Sequence, residues 1–277
     1  MAEIGERVTL PVVREVSAGL ILDGGNLGEV LLPRIERQSM NQEEVEVFLY
    51  RDSEDRPVAT ERLPKVMPGS FGALRVVSSN NTGAFLDWGL AKDLLLPFSE
   101  QRGAPKAGAL VVVAVYLDPK SRRLVASQRI DRHFGQDIPD LAVGEEVELL
   151  VYGKTDLGYK VIVEGQHSGL LFQNQVFEEL HYGGKRRGYV VQVRPDRKID
   201  LSLTPHGKAG VDDLESRLIR ELEARGGYLD LNDKSPPELI YDELGVSKKV
   251  FKKATGALYR KRLIVYEDEG IRWVGDQ

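Results

Sequence analysis

The sequence contains no cysteine in 277 residues, which excludes disulfides and thiolate-bound metals and suits a cytosolic chain. It also lacks any apolar run near the roughly 18–20 residues that cross a bilayer as a helix. Its first ten residues, MAEIGERVTL, have neither the basic stretch nor the greasy core of an export signal. These absences predict a cytoplasmic protein with no membrane partner. Histidine is scarce: His133, His167, His181 and His206 are scattered without metal-ligand spacing. No GxSxG, P-loop, HExxH or dinucleotide fingerprint occurs, so no cofactor is expected and an enzyme is the least supported class.

What is present is an ordinary globular composition, 42% hydrophobic and 29% charged, which argues against large-scale disorder. The net charge of −5 hides its distribution. Segments 1–65, 66–135, 136–207 and 208–277 carry −5, +4, −3 and −1. A polyanion would favour the second segment, or local basic faces in the third and fourth, because phosphate contacts supply most non-specific affinity.

Those segments follow an internal repeat. Residues 83–97 read GAFLDWGLAKDLLLP, with related stretches at 19–33, GLILDGGNLGEVLLP, and 158–173, GYKVIVEGQHSGLLFQ. Each has a glycine, a short run of strand formers, a glycine-bearing turn and a second apolar run, the pattern of a β-hairpin. Each is followed 41 to 44 residues after its first glycine by a further match, ending at Thr60, Ser127 and Ser202. The repeat is therefore a whole small domain, and short strands at this spacing predict five-stranded barrels over 1–65, 66–135 and 136–207. Gly24-Gly25 reads as a hairpin turn and not a phosphate loop, since no lysine or helix follows. Residues 173–183 are short enough for one or two helical turns.

From Val211 the period changes. Leu214, Leu218 and Leu222 predict an amphipathic helix ending near Gly226-Gly227. Ser235 before Pro236 and Pro237 predicts the N-cap of a second helix that stops at Gly245, and Ser247 caps a third with Val250, Phe251, Ala254 and Leu258 on its apolar face. Residues 263–266 and 271–274 flank Glu267-Asp268-Glu269-Gly270 as strand, turn and strand. Three helices and a hairpin make a winged helix over 208–277.

The segments GAFLDWGLAKDLLLPFSE, GKRRGYVVQVRPDRKIDLSL (184–203) and ELGVSKK (243–249) carry a resemblance to the bacterial conserved virulence factor B family. That family's resemblance implies three S1-type RNA-binding barrels of the oligonucleotide-binding fold, a C-terminal winged helix, and a non-enzymatic cytoplasmic regulator of gene expression, including virulence traits. In S1-type domains the platform residues that stack on bases lie two positions after the hairpin glycine and in the next strand, which implies Phe85 in the second barrel and Phe172 in the third. The first barrel offers Ile21 and Leu32 there, and the third has Lys160 where the second has Phe85.

Barrels of this fold bind single strands by aromatic stacking beside cations that follow the backbone. The expected single-stranded RNA contacts are Phe85, Trp88, Arg75, Lys92, Arg122 and Arg123 in the second barrel, and Phe172, Lys185, Arg186, Arg187 and Tyr189 in the third. Each has a plain alternative: the aromatics can pack a core, and the cations can be solvated turns. On the third helix of the winged domain, Lys248, Lys249, Lys252, Lys253 and Arg260 are candidate contacts to duplex nucleic acid. That helix has Thr255 and Tyr259 but no arginine, asparagine or glutamine in its first two turns to read base edges, and the acidic wing tip repels phosphate. Two other classes stay open: a DNA-binding transcription regulator, and a protein–protein adaptor that uses the acidic first barrel as a dock.

Overall fold

The computed structural model describes residues 2–38, 43–173, 176, 179–205 and 208–275. Part of the 173–183 segment, including Asn174, Gln175, Phe177 and Glu178, lies outside the described residues, as do His206 and the side chains of 208–213. By contacts the chain divides into two units, 1–134 and 135–277. No helix among the described residues is long and apolar enough to cross a membrane.

The first unit holds two closed barrels. Barrel 1 is β1 (Arg7–Val16), β2 (Gly19–Asp23), β3 (Glu29–Pro33), β4 (Glu44–Arg51) and β5 (Pro57–Thr60). Barrel 2 is β6 (Phe71–Ser79), β7 (Gly83–Asp87), β8 (Leu94–Pro97), β9 (Leu110–Leu117) and β10 (Leu124–Ser127). The second unit contains barrel 3, with β11 (Glu146–Thr155), β12 (Gly158–Val163), β13 (His167–Phe172), β14 (Lys185–Val193) and β15 (Ile199–Ser202). In all three the third strand pairs in parallel with the fifth and the fourth closes back on the first. The first strand is bulged at the same place each time, between Val12 and Arg14, Val76 and Ser78, and Val151 and Gly153, which supplies the bend that closure needs.

The repeated glycine that opens each second strand has a steric cause. A Cβ on Gly19, Gly83 or Gly158 would stand 2.0, 2.3 or 2.0 Å from the carbonyl oxygen of Leu32, Leu96 or Leu171 on the neighbouring strand. Only hydrogen fits there. The matching Thr60, Ser127 and Ser202 at the barrel ends are likewise structural. Each hydroxyl accepts the backbone N–H two residues on, at Arg62, Arg129 and Thr204. Those of Thr60 and Ser127 also donate to Glu36 and Glu100, at 2.7 and 2.6 Å, and Glu36 is buried.

Barrels 1 and 2 share a core. Val45, Val47 and Leu49 fill barrel 1, while the alternate residues of the same strand, Phe48 and Tyr50, are buried among barrel 2 residues including Trp88, Val66 and Leu94. The continuous run Val47-Phe48-Leu49-Tyr50 is thus a strand buried on both faces, which is why the in–out alternation disappears there.

The second unit ends in α1 (Lys208–Ala224), β16 (Tyr228–Leu229), α2 (Pro237–Leu244), α3 (Lys248–Arg260), β17 (Ile264–Tyr266) and β18 (Ile271–Trp273). Leu214, Leu218 and Leu222 pack with Ile240, Leu244, Phe251 and Leu258 in one core. Gly245 closes α2 in the left-handed conformation, and the Ser247 hydroxyl caps α3 by accepting from the Val250 N–H. The expectation for α2 needs correcting: its N-cap is Pro236, and the Ser235 hydroxyl instead accepts from the Asn232 N–H at 2.9 Å. The short β16, which joins the wing to make a three-stranded sheet, has too little sequence to be read as a strand.

Candidate nucleic-acid interface

Pairing registers align the outward faces of the barrels. In barrel 2, Phe85 pairs with Leu95, which pairs in parallel with Val125. The equivalent rows are Ile21, Leu31 and Val58 in barrel 1, and Lys160, Leu170 and Asp200 in barrel 3. Ile21, Phe85 and Lys160 are all partly exposed. Leu32 is not on this face: it is fully buried inside barrel 1, because it pairs with Leu20 one position away.

Phe85, Leu95 and Val125 line a cleft of about 160 Å³ to which barrel 1 contributes Tyr50 and Arg51. Lys92, Asp93 and Arg123 complete its rim. Burial pushes the Tyr50 hydroxyl up to about 12, with Glu36 and Asp52 adding to the shift, so it stays a neutral donor at physiological pH.

Trp88 must be corrected as a stacking residue. It is 3% exposed, packs edge-on against Phe48 with ring centroids 6.0 Å apart, and its indole N–H donates to the Lys92 carbonyl at 2.5 Å. No base reaches it. The Lys92 ammonium is also committed, donating to the Arg51 and Asp52 carbonyls at 3.1 and 2.5 Å. Burial, followed by the nearby Arg123, lowers its pKa against the pull of Asp52 and Asp55. Arg123 donates to Asp55 of barrel 1 at 2.9 Å, and this partner holds the Asp55 carboxyl below its usual range. Arg75 is exposed and donates to the Gly108 carbonyl at 2.7 Å, while Arg122 is exposed in its turn with φ 54°. Of the four expected cations on barrel 2, Lys92 and Arg123 therefore stitch the seam between the barrels before they meet any ligand.

His133 closes barrel 2 with its ring 4.7 Å from that of Tyr116. Burial lowers its pKa, Arg132 adds to the lowering and Glu100 opposes it. An unfolded chain therefore binds the proton more readily. Stability from the neutral ring is fully present above the unfolded value of about 6.5 and is lost as pH falls toward the folded one. Urea unfolding between pH 7.5 and 5 should show a falling midpoint that His133→Gln flattens; equal slopes in both proteins would refute this role.

In barrel 3, Phe172 is partly exposed and pairs with Gly158, so it occupies the hairpin end and not the Phe85 row. One face of its ring carries the Arg194 guanidinium at 5.8 Å, itself held by Asp200 at 2.7 and 2.9 Å. Lys185, Arg186 and Arg187 are exposed on β14, but register sets that strand against β11. Lys185 pairs with Glu148 at 2.9 Å and Arg187 with Glu146 at 3.4 Å, so both of these charges are met locally. Arg186 donates to the Lys185 carbonyl, and Tyr189 is partly buried opposite Glu146.

On α3, Lys249, Lys253 and Arg260 are exposed at helical spacing along one face. Lys248 is partly buried and donates to the Ser235 carbonyl at 2.8 Å, and Lys252 lies 3.7 Å from Asp233. Thr255 cannot read a base, since it is fully buried with its hydroxyl donating to the Phe251 carbonyl. Exposed Tyr259 packs on Tyr266 of the wing at 5.4 Å. At the wing tip Glu267 is paired with Arg272. Among the described residues no group of three or more histidines or carboxylates is placed to hold a metal ion.

The S1 domain family model matches residues 4–62 and 68–129, which are barrels 1 and 2. The CvfB-like winged helix domain model matches residues 216–272. Conserved virulence factor B of Staphylococcus aureus (strain USA300) is 23% identical over 95% of this chain and 92% of its own length. Over nearly its whole length the chain is similar to conserved virulence factor B. YitL of Bacillus subtilis (strain 168), described as uncharacterized, is 26% identical over 96% of this chain and 92% of its own. A solved multidomain protein with nucleic acid binding domains from Streptococcus pneumoniae TIGR4 aligns over 98% of both chains at 23% identity and a TM-score of 0.44. The matched regions are of nucleic-acid-binding domain types, S1 barrels and a winged helix.

Proposed function

We propose that this protein binds single-stranded RNA without catalysis and acts in post-transcriptional control of gene expression. The virulence role in the names of its staphylococcal relatives would be one output of that control. The observation that carries the reading is Phe85, a partly exposed ring in an apolar outward row on the one barrel with a positive balance. Unpaired bases have π-faces that stack on such a ring, while duplex bases are closed to it. Lys249, Lys253 and Arg260 give the winged helix a face for phosphates, but α3 has no arginine, asparagine or glutamine in its first two turns to read base edges from the major groove.

The test is titration of the intact protein with a labelled single-stranded RNA at low and moderate salt, with duplex DNA as competitor. Submicromolar binding that weakens as salt rises, and that duplex DNA does not displace, is the expected result. Displacement by duplex DNA would favour the transcription-regulator reading. No binding at either salt would overturn RNA binding and favour an adaptor.

A further inference from the structure

Arg51, at the end of β4, sits where barrel 1 meets barrel 2 and lines the same cleft as Phe85. Its Nη1 donates to the Asp55 carbonyl at 2.6 Å. Its Nε is buried and has no acceptor among the described residues. Buried donors in folded proteins are almost always satisfied, so one left over beside a cleft calls for a partner: a water, an ion or a ligand. The cleft, at about 160 Å³, is about the size of an engineered cavity of roughly 150 Å³ that accepts benzene. It has room for a flat ring against Phe85, and its walls at Leu94, Leu95 and Val125 are apolar.

Resting on the reading of the protein as a single-strand binder, we propose that this cleft is a composite nucleobase site with a preference for guanine. Phe85 of barrel 2 supplies the stacking surface and Arg51 of barrel 1 supplies the edge donor. The side of a guanidinium formed by Nε and Nη2 presents two parallel N–H groups, which match the adjacent O6 and N7 acceptors of guanine. Adenine puts an amino donor where guanine has O6, and sets it against the Arg51 donors. The acidic first barrel, which has Ile21 where its neighbour has Phe85, thereby contributes to recognition through the end of its fourth strand and not through a platform of its own. Tying Nη1 to the Asp55 carbonyl fixes the guanidinium, so little orientation is lost when a base arrives.

The experiment varies the RNA before the protein. Uridine decamers with one central guanosine, inosine, 7-deazaguanosine or adenosine are titrated against the intact protein. Guanosine and inosine, which share O6 and N7, should bind about tenfold tighter than adenosine, and 7-deazaguanosine should lose most of that advantage. Arg51→Lys, which keeps the charge but not the fork, should erase the guanosine preference, so that its affinities for the four RNAs fall within about twofold of one another. Equal affinity for the four RNAs, or a preference unchanged in Arg51→Lys, would overturn the composite site and leave single-strand binding standing. Absence of binding to every RNA would overturn both.

Discussion

Trp88→Ala is expected to destabilise the paired barrels by about 3–5 kcal/mol, the usual cost of emptying a buried tryptophan site. The indole lies at the seam, against Phe48 of barrel 1 and in the core of barrel 2. Its loss opens a cavity shared by both and strips the Lys92 carbonyl of its donor. Because one core serves two sheets, residues of both barrels should lose hydrogen-exchange protection together in the intact chain. Trp88→Phe keeps most of the packing and forgoes the N–H, so its cost should be nearer the roughly 1 kcal/mol of one hydrogen bond. A midpoint shift in urea equivalent to less than 1 kcal/mol for the alanine variant, or protection lost in one barrel alone, would refute the shared-core account.

The second large effect is on binding. Phe85→Ala should weaken single-stranded RNA by about 1–3 kcal/mol, the range for removing one stacking platform and equal to roughly 5–150-fold in Kd. Its partial exposure on the outward row means that the barrel interior, filled by Leu74, Leu86 and Leu96, is untouched. The thermal midpoint should therefore move little, and Phe85→Tyr should restore affinity. Unchanged binding in Phe85→Ala would shift the contact surface elsewhere, with the exposed face of α3 next to be tested.

Much of the architecture was legible because its causes are local. A glycine that faces a carbonyl at 2.0–2.3 Å from its absent Cβ has no substitute, so it survives as a spaced signal. The capping serine at 247 and the left-handed glycine at 245 work through neighbours a few residues away. The site was less legible because its chemistry is settled at long range. Lys92 meets carbonyls 40 and 41 residues distant, and Arg123 an aspartate 68 residues distant; no pattern along the chain announces such pairings. The basic run 185–187 looks free in sequence, yet pairing of β14 with β11 brings Lys185 to Glu148 and Arg187 to Glu146 across the strands. Arg51 was missed for the same reason, though the unbroken Val47–Tyr50 run before it signals a strand covered on both sides.

Closing three sheets on themselves has a consequence for the company this chain keeps. A protein with this much strand ordinarily offers unpaired N–H and C=O rows that other chains can extend. Among the described residues each of the fifteen barrel strands has a neighbour on both sides, and the open sheet ends in β16 and β17, of two and three residues. Among the described residues strand-to-strand recruitment has almost nowhere to start, so joining of copies through sheet edges is resisted by topology.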